Sequence, residues 1–265
     1  MTRVRILFLA FVALAACRRE DAPAAKASTP ADATPAATEV THASSAGARV
    51  SGRITLDGTP PPRVTRTTNV DTELCGPGPI VDREMLVDPA TKGVRYAVVT
   101  LTNDTASHAI PSPVVRTLEQ AKCEYFPYVT VVPPGSRVVV TNADDGLHDV
   151  HVMPEGGTAP AANHSLRPDG RVELTFPERG NVLLGCDLHY WTRAWVLVDS
   201  APFVAITEAD GRYAFAGVPP GAWRLTVWQE RLGTTVRDVT VESASSAVVE
   251  DVALPPPAPK RPKSP

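Results

Sequence analysis

A thiol and an imidazole stand three residues apart in Gly185-Cys186-Asp187-Leu188-His189-Tyr190-Trp191, directly after the β-rich run Asn181 to Leu184. Sulfur and imidazole nitrogen so placed can share one soft metal ion. A third donor is offered by Asn142-Ala143-Asp144-Asp145-Gly146-Leu147-His148-Asp149-Val150-His151, where a strand ends in Asn, a short polar loop follows and a His opens the next strand. Residues an odd number apart on a strand face opposite sides, so His148 and His151 cannot both enter one site without a bulge. Other chemistries find no support. Asp144, Asp145 and Asp149 lie in a loop with no partner at catalytic spacing and are expected to be solvated. A nucleophile elbow and a phosphate-binding glycine loop are both missing from the sequence, so no enzyme activity is expected.

The elements that must position these donors are strands. The chain has 265 residues, 27 of them Pro and 17 Gly, with Val-rich runs between turns and no long apolar stripe at helical spacing. The length allows one large or two small domains. Short strands are expected at Arg49 to Leu56, Val94 to Thr102, Val129 to Val132 and, after the turn Pro133-Pro134-Gly135, at Ser136 to Thr141. More follow at His148 to Met153, Arg171 to Phe176, Asn181 to Gly185 and Ala194 to Val198. The class is mainly β, and the strands suffice for a sandwich. Trp191, Trp195, Trp223 and Trp228 are expected in core and edge packing rather than in a stacking platform. His42, His108 and His164 sit in polar segments and are expected to face solvent. A net charge of -3 offers no excess of basic residues to hold phosphates, so nucleic acid is not an expected partner.

A strand-end Asn, a His several residues on and a distant Cys-x-x-His together resemble the ligand pattern of the cupredoxins, over roughly residues 94–199. That resemblance implies a Greek-key β-sandwich with one copper ion at one end, held by His148, Cys186 and His189. It selects His148 over His151, and it places His189 near the surface as the point where an electron leaves. The nearest flavour, plastocyanin-like and methylamine-utilization-like, reads Cys-Asp-x-His-Pro-Trp-Met, whereas this chain reads Cys-Asp-Leu-His-Tyr-Trp-Thr. Thr192 therefore stands where the family carries its weak axial Met, and the axial group mainly tunes potential. Tyr128 stands where many relatives carry His and receives no role. Two alternatives stay open: a sandwich without metal, and zinc held by Cys186, His189, His148 and His151.

Farther along, Thr207 to Phe215 and Pro219 to Val227 resemble the carboxypeptidase regulatory-like (transthyretin-like) module, which implies a second, small β-sandwich. So small a fragment buries too little surface to stand alone, so it is expected to pack on the first domain or to borrow the Val50 to Leu56 strand. The expected order is then a cupredoxin-like domain over 48–200, with 48–93 open to sharing, and the module over 201–254.

The first seventeen residues read as an export signal, with Arg3 and Arg5 before an apolar run from Ile6 to Ala13. Leu14-Ala15-Ala16-Cys17 resembles the bacterial lipobox, which implies lipid on Cys17 and a protein anchored in the bacterial cell envelope, facing the periplasm or the cell surface. Residues 18–47, rich in Ala, Pro, Thr and Ser, read as a disordered tether with a reach of about 30 Å. The Pro-rich, basic residues 255–265 read as a disordered tail. With Cys17 lipidated, Cys75, Cys123 and Cys186 remain, an odd number in an oxidising compartment. The economical assignment is a Cys75–Cys123 disulfide with Cys186 left for metal, the other pairings remaining open. On that assignment metal binding is expected to be separable from the disulfide. Two function classes follow: a lipid-tethered electron carrier working with a redox protein partner, or a metal-free binding or scaffold module.

Overall fold

Alternating apolar and polar residues become strand along most of the chain, because such a strand buries every second side chain and leaves the others wet. The structure is a computed structural model. It describes residues 47–76, 78–103, 111–155 and 162–257, all within one compact unit. Residues 1–46 and 258–265, and with them Cys17, the tether and most of the tail, lie outside the described residues, as does His108.

In chain order the elements are β1 (Ala48–Leu56), β2 (Thr65–Arg66), the one-turn helix α1 (Thr72–Cys75), β3 (Ile80–Val81), β4 (Val98–Thr102), β5 (Val115–Ala121), β6 (Glu124–Phe126), β7 (Val129–Val132), β8 (Ser136–Asn142) and β9 (His148–Pro154). They continue with β10 (Ala162–Leu166), β11 (Arg171–Phe176), β12 (Gly180–Gly185), β13 (Arg193–Val198), β14 (Phe203–Ile206), β15 (Arg212–Val218), β16 (Gly221–Gln229), β17 (Gly233–Val241), β18 (Ala247–Val249) and β19 (Val252–Leu254).

The protein is mainly β and built of two sandwiches. In the first, a sheet of order β11-β8-β5-β6 faces one of order β10-β9-β12-β13-β7, and the chain crosses repeatedly between them. Leu118, Tyr125, Val140, Val150, Leu184 and Val196 fill the space between. In the second, β14-β4-β16-β17 faces β1, which pairs antiparallel with β15 and parallel with β18 and β19. Its core holds Val50, Ile54, Leu101, Phe215, Trp223 and Leu225. The second sandwich thus takes in β1, and it also takes β4, a strand expected from the sequence in the first domain. β4 lies between β14 and β16 because Val99 and Leu101 face the second core.

A third apolar layer joins the sandwiches. Val129, Trp195 and Leu197 point away from the first core and meet Val98 and Trp228, the two indoles lying edge to face at 5.1 Å. This explains the unbroken apolar run Ala194 to Val198, since β13 is buried on both faces. Glu230 closes the seam: its carboxylate accepts from the Tyr128 hydroxyl, the Trp195 indole and Arg193. Burial pushes the Glu230 carboxyl up, and the Arg193 charge opposes that shift. Tyr128 is therefore a structural residue of the seam.

Candidate metal centre

Asn142 sets the first donor. At the end of β8 its Nδ2 donates to the carbonyls of Gly146 (2.8 Å) and Leu166 (3.1 Å), and its Oδ1 accepts from the Asp144 amide (2.9 Å). The loop so pinned delivers His148 as the first residue of β9, on the inner face with Val150 and Val152. His151 turns outward, where its Nδ1 lies 2.7 Å from Asp187 Oδ1.

The second donor follows from register. β12 pairs with β9 so that Gly185 lies opposite His151, and Val182 and Leu184 point inward. Cys186 continues that inward set beyond the strand end. The chain then turns, with the Thr192 amide donating to the His189 carbonyl at 2.8 Å. The turn folds the His189 ring back beside Cys186.

The three donors converge. Cys186 Sγ lies 3.8 Å from His148 Nδ1 and 3.7 Å from His189 Nδ1, and the two Nδ1 atoms are 3.0 Å apart. A triangle with these sides has a circumradius of about 2.0 Å, close to metal–imidazole bond lengths and somewhat under metal–thiolate ones. Both histidines are fully buried and Cys186 is nearly so. Each outer ring nitrogen is held by a carboxylate: His148 Nε2 by Asp144 Oδ2 (2.9 Å) and His189 Nε2 by Asp71 Oδ2 (3.0 Å). A ring that donates from Nε2 to a carboxylate turns a bare Nδ1 inward. Two inward lone pairs at 3.0 Å repel unless a cation stands between them, so the donor set fits a metal ion. Burial lowers the affinity of His148 for a proton, with the Asp144 hydrogen bond opposing. Burial pushes the Cys186 thiol up, while the backbone amides of Asp149, His189 and Leu188 aim at the sulfur and favour its thiolate.

Asp71 arrives on a cap. Cys75 at the end of α1 is disulfide-bonded to Cys123, and Cys186 is the free cysteine among the described residues. Leu74 of α1 covers the His148 loop so closely that a Cβ on Gly146 would lie 2.1 Å from its Cδ2. Asp144 ties the far side of the bridge, accepting from the amides of Lys122 (2.6 Å) and Cys123 (2.9 Å) while it holds His148.

Several expectations change. His189 is not at the surface, because the cap and Asp71 close over its outer nitrogen. Asp144 is a buried partner of His148 rather than a solvated loop residue, and Asp149 accepts from the Asp187 amide at 2.8 Å. The four-ligand zinc set does not assemble, since His151 faces away from the triad. Thr192 is buried, with its hydroxyl donating to the Cys123 carbonyl. Asp71, the outer partner of His189, is not among the residues expected from the sequence, because its contact joins segments 118 residues apart.

No protein-family model matches this chain, and no curated protein does. Among solved structures it is similar to a purple cupredoxin from Nitrosopumilus maritimus, at 22% identity over 32% of this chain and 99% of that one, with a TM-score of 0.29. It is likewise similar to a reduced Cu(I) form of an amicyanin variant, at 23% identity over 38% and 98%, TM-score 0.30. A copper-containing nitrite reductase from Thermus scotoductus SA-01 matches at 22% identity over 37% of this chain and 25% of its own, TM-score 0.29.

Proposed function

We propose that the protein is an exported single-copper electron carrier, with the ion held by His148 Nδ1, Cys186 Sγ and His189 Nδ1. The convergence of those three buried atoms carries the proposal. A planar set of two imidazoles and one thiolate suits copper, whereas a structural zinc site asks for four protein donors in a tetrahedron. Copper would supply a Cu(I)/Cu(II) couple.

The chain's own residues would do the rest. Asp71 and Asp144 fix both ring orientations, and the backbone amides around Cys186 hold the sulfur's charge. The cap excludes bulk water and leaves the buried donors closed to a substrate, which favours electron exchange over turnover. With His189 covered, rings lead outward instead: His189 to Trp191 at 5.4 Å, then Trp191 to the exposed Tyr190 at 5.1 Å. A redox protein would meet the molecule at Tyr190, Leu188 and Leu147, all exposed.

Titrating purified protein with Cu(II) tests this. One copper per chain with a visible charge-transfer band that a reductant bleaches is expected; a protein that retains no copper would leave a metal-free scaffold as the better function.

Two further outcomes are expected. Asp71→Ala, at a half-exposed position, should leave the fold intact yet weaken copper binding about ten- to a hundredfold by freeing the His189 ring. Competition titration measures this, and an unchanged affinity would refute the role of Asp71. We also propose that lipid on Cys17 holds the protein at the cell envelope. Cys17→Ser should then accumulate as unprocessed precursor, and recovery of a processed, soluble form would refute the anchor.

A further inference from the structure

Gln120 is fully buried, and neither its Oε1 nor its Nε2 has a hydrogen-bond partner. An orphan carboxamide in a core is costly and calls for an explanation. Its position supplies one. β5 alternates so that Leu118 and Gln120 point inward while Thr117 and Glu119 are exposed. In register, Gln120 stands between Asn142 of β8 and Tyr125 of β6.

Both neighbours reach across the sandwich to the layer that carries the triad. Asn142 Nδ2 donates to the carbonyl of Leu166, the residue paired with His148. The Tyr125 hydroxyl lies 3.4 Å from the carbonyl oxygen of Asp149 and 3.3 Å from that of Gly185, residues that adjoin His148 and Cys186. Gln120 lies between these two bridges in register, on the inner face of β5 with Leu118, with a carbonyl oxygen that nothing uses. The usual sources of a fourth donor are elsewhere. Thr192 is committed to the Cys123 carbonyl, Met153 lies on the outer face of β9 with His151, and Met85 packs against the second core.

We propose that Gln120 Oε1 is the weak axial donor of the copper site, contributed by the sheet opposite the one that carries His148 and Cys186. The proposal rests on the copper function above. An amide oxygen is a harder donor than a thioether, so it favours Cu(II) over Cu(I).

Gln120→Leu tests it, because leucine fills similar space without polar atoms. The metal-free variant should melt higher than wild type, the orphan amide having gone. Its Cu(II) affinity should fall on the order of tenfold while Cu(I) affinity holds, and the visible band should shift. Gln120→Met should fall between the two. A residue that only packs would not raise metal-free stability and weaken Cu(II) together. If wild type shows its Cys186-dependent band and Gln120→Leu keeps the same band and the same Cu(II)-to-Cu(I) affinity ratio, the axial role is overturned and the copper function stands. If wild type takes up no copper, both fall.

Discussion

Cys186→Ser is expected to abolish the visible band of the copper-loaded protein and to cut its copper affinity more than any other single change. The sulfur is the one soft anionic donor of the triad, with three backbone amides aimed at it. A serine hydroxyl neither ionises near neutral pH nor gives thiolate-to-copper charge transfer. His148→Ala should weaken binding less, because Cys186 and His189 still converge at 3.7 Å. His151→Ala should change neither band nor affinity, since its ring pairs with Asp187 outside the site. A band of undiminished intensity in Cys186→Ser would remove the sulfur from the site.

Removing the disulfide should have the largest effect on stability. The bridge spans 48 residues in sequence, and closing a loop of that length stabilises a fold by about 4 kcal/mol in the chain-entropy model. Cys75→Ala/Cys123→Ala should lose about that much in chemical denaturation. The sequence led us to expect that copper binding would survive such a change, and the structure argues otherwise. Asp71 sits one turn before Cys75, and Asp144 grips the Cys123 amide and the His148 ring with one oxygen. Releasing the bridge frees both outer partners of the triad, so copper affinity should fall with stability. Full affinity in a destabilised double variant would separate the cap from the site.

Local spacing paired Cys186 with His189, while the choice of His148 came from the family resemblance. Cys186 and His189 are three residues apart, and the parity of β9 already barred His148 and His151 from one site. For the short run after Phe203, the small size left two ways to bury its face, against the first domain or with the Val50 to Leu56 strand, and in the structure β1 pairs with β15. What stayed hidden depends on contacts between distant segments. Asp71 reaches His189 across 118 residues, and no local pattern marks an Asp in a loop as the lid of a remote imidazole. β4 reads as a buried strand in either sandwich, because residues apolar on both faces carry no sidedness. Gln120 is a polar residue that local patterning would leave wet, yet it shares the inward face of β5 with Leu118. Glu230 carries no local mark of its role, which comes from its burial among Tyr128, Arg193 and Trp195 in the seam.

X-ray absorption at the copper edge of the loaded wild-type protein tests the triad most directly. The expected result is a first shell of one sulfur and two imidazole nitrogens, with any fourth donor a longer oxygen. A shell of nitrogen and oxygen alone, with no sulfur scatterer, would contradict the site built on His148, Cys186 and His189.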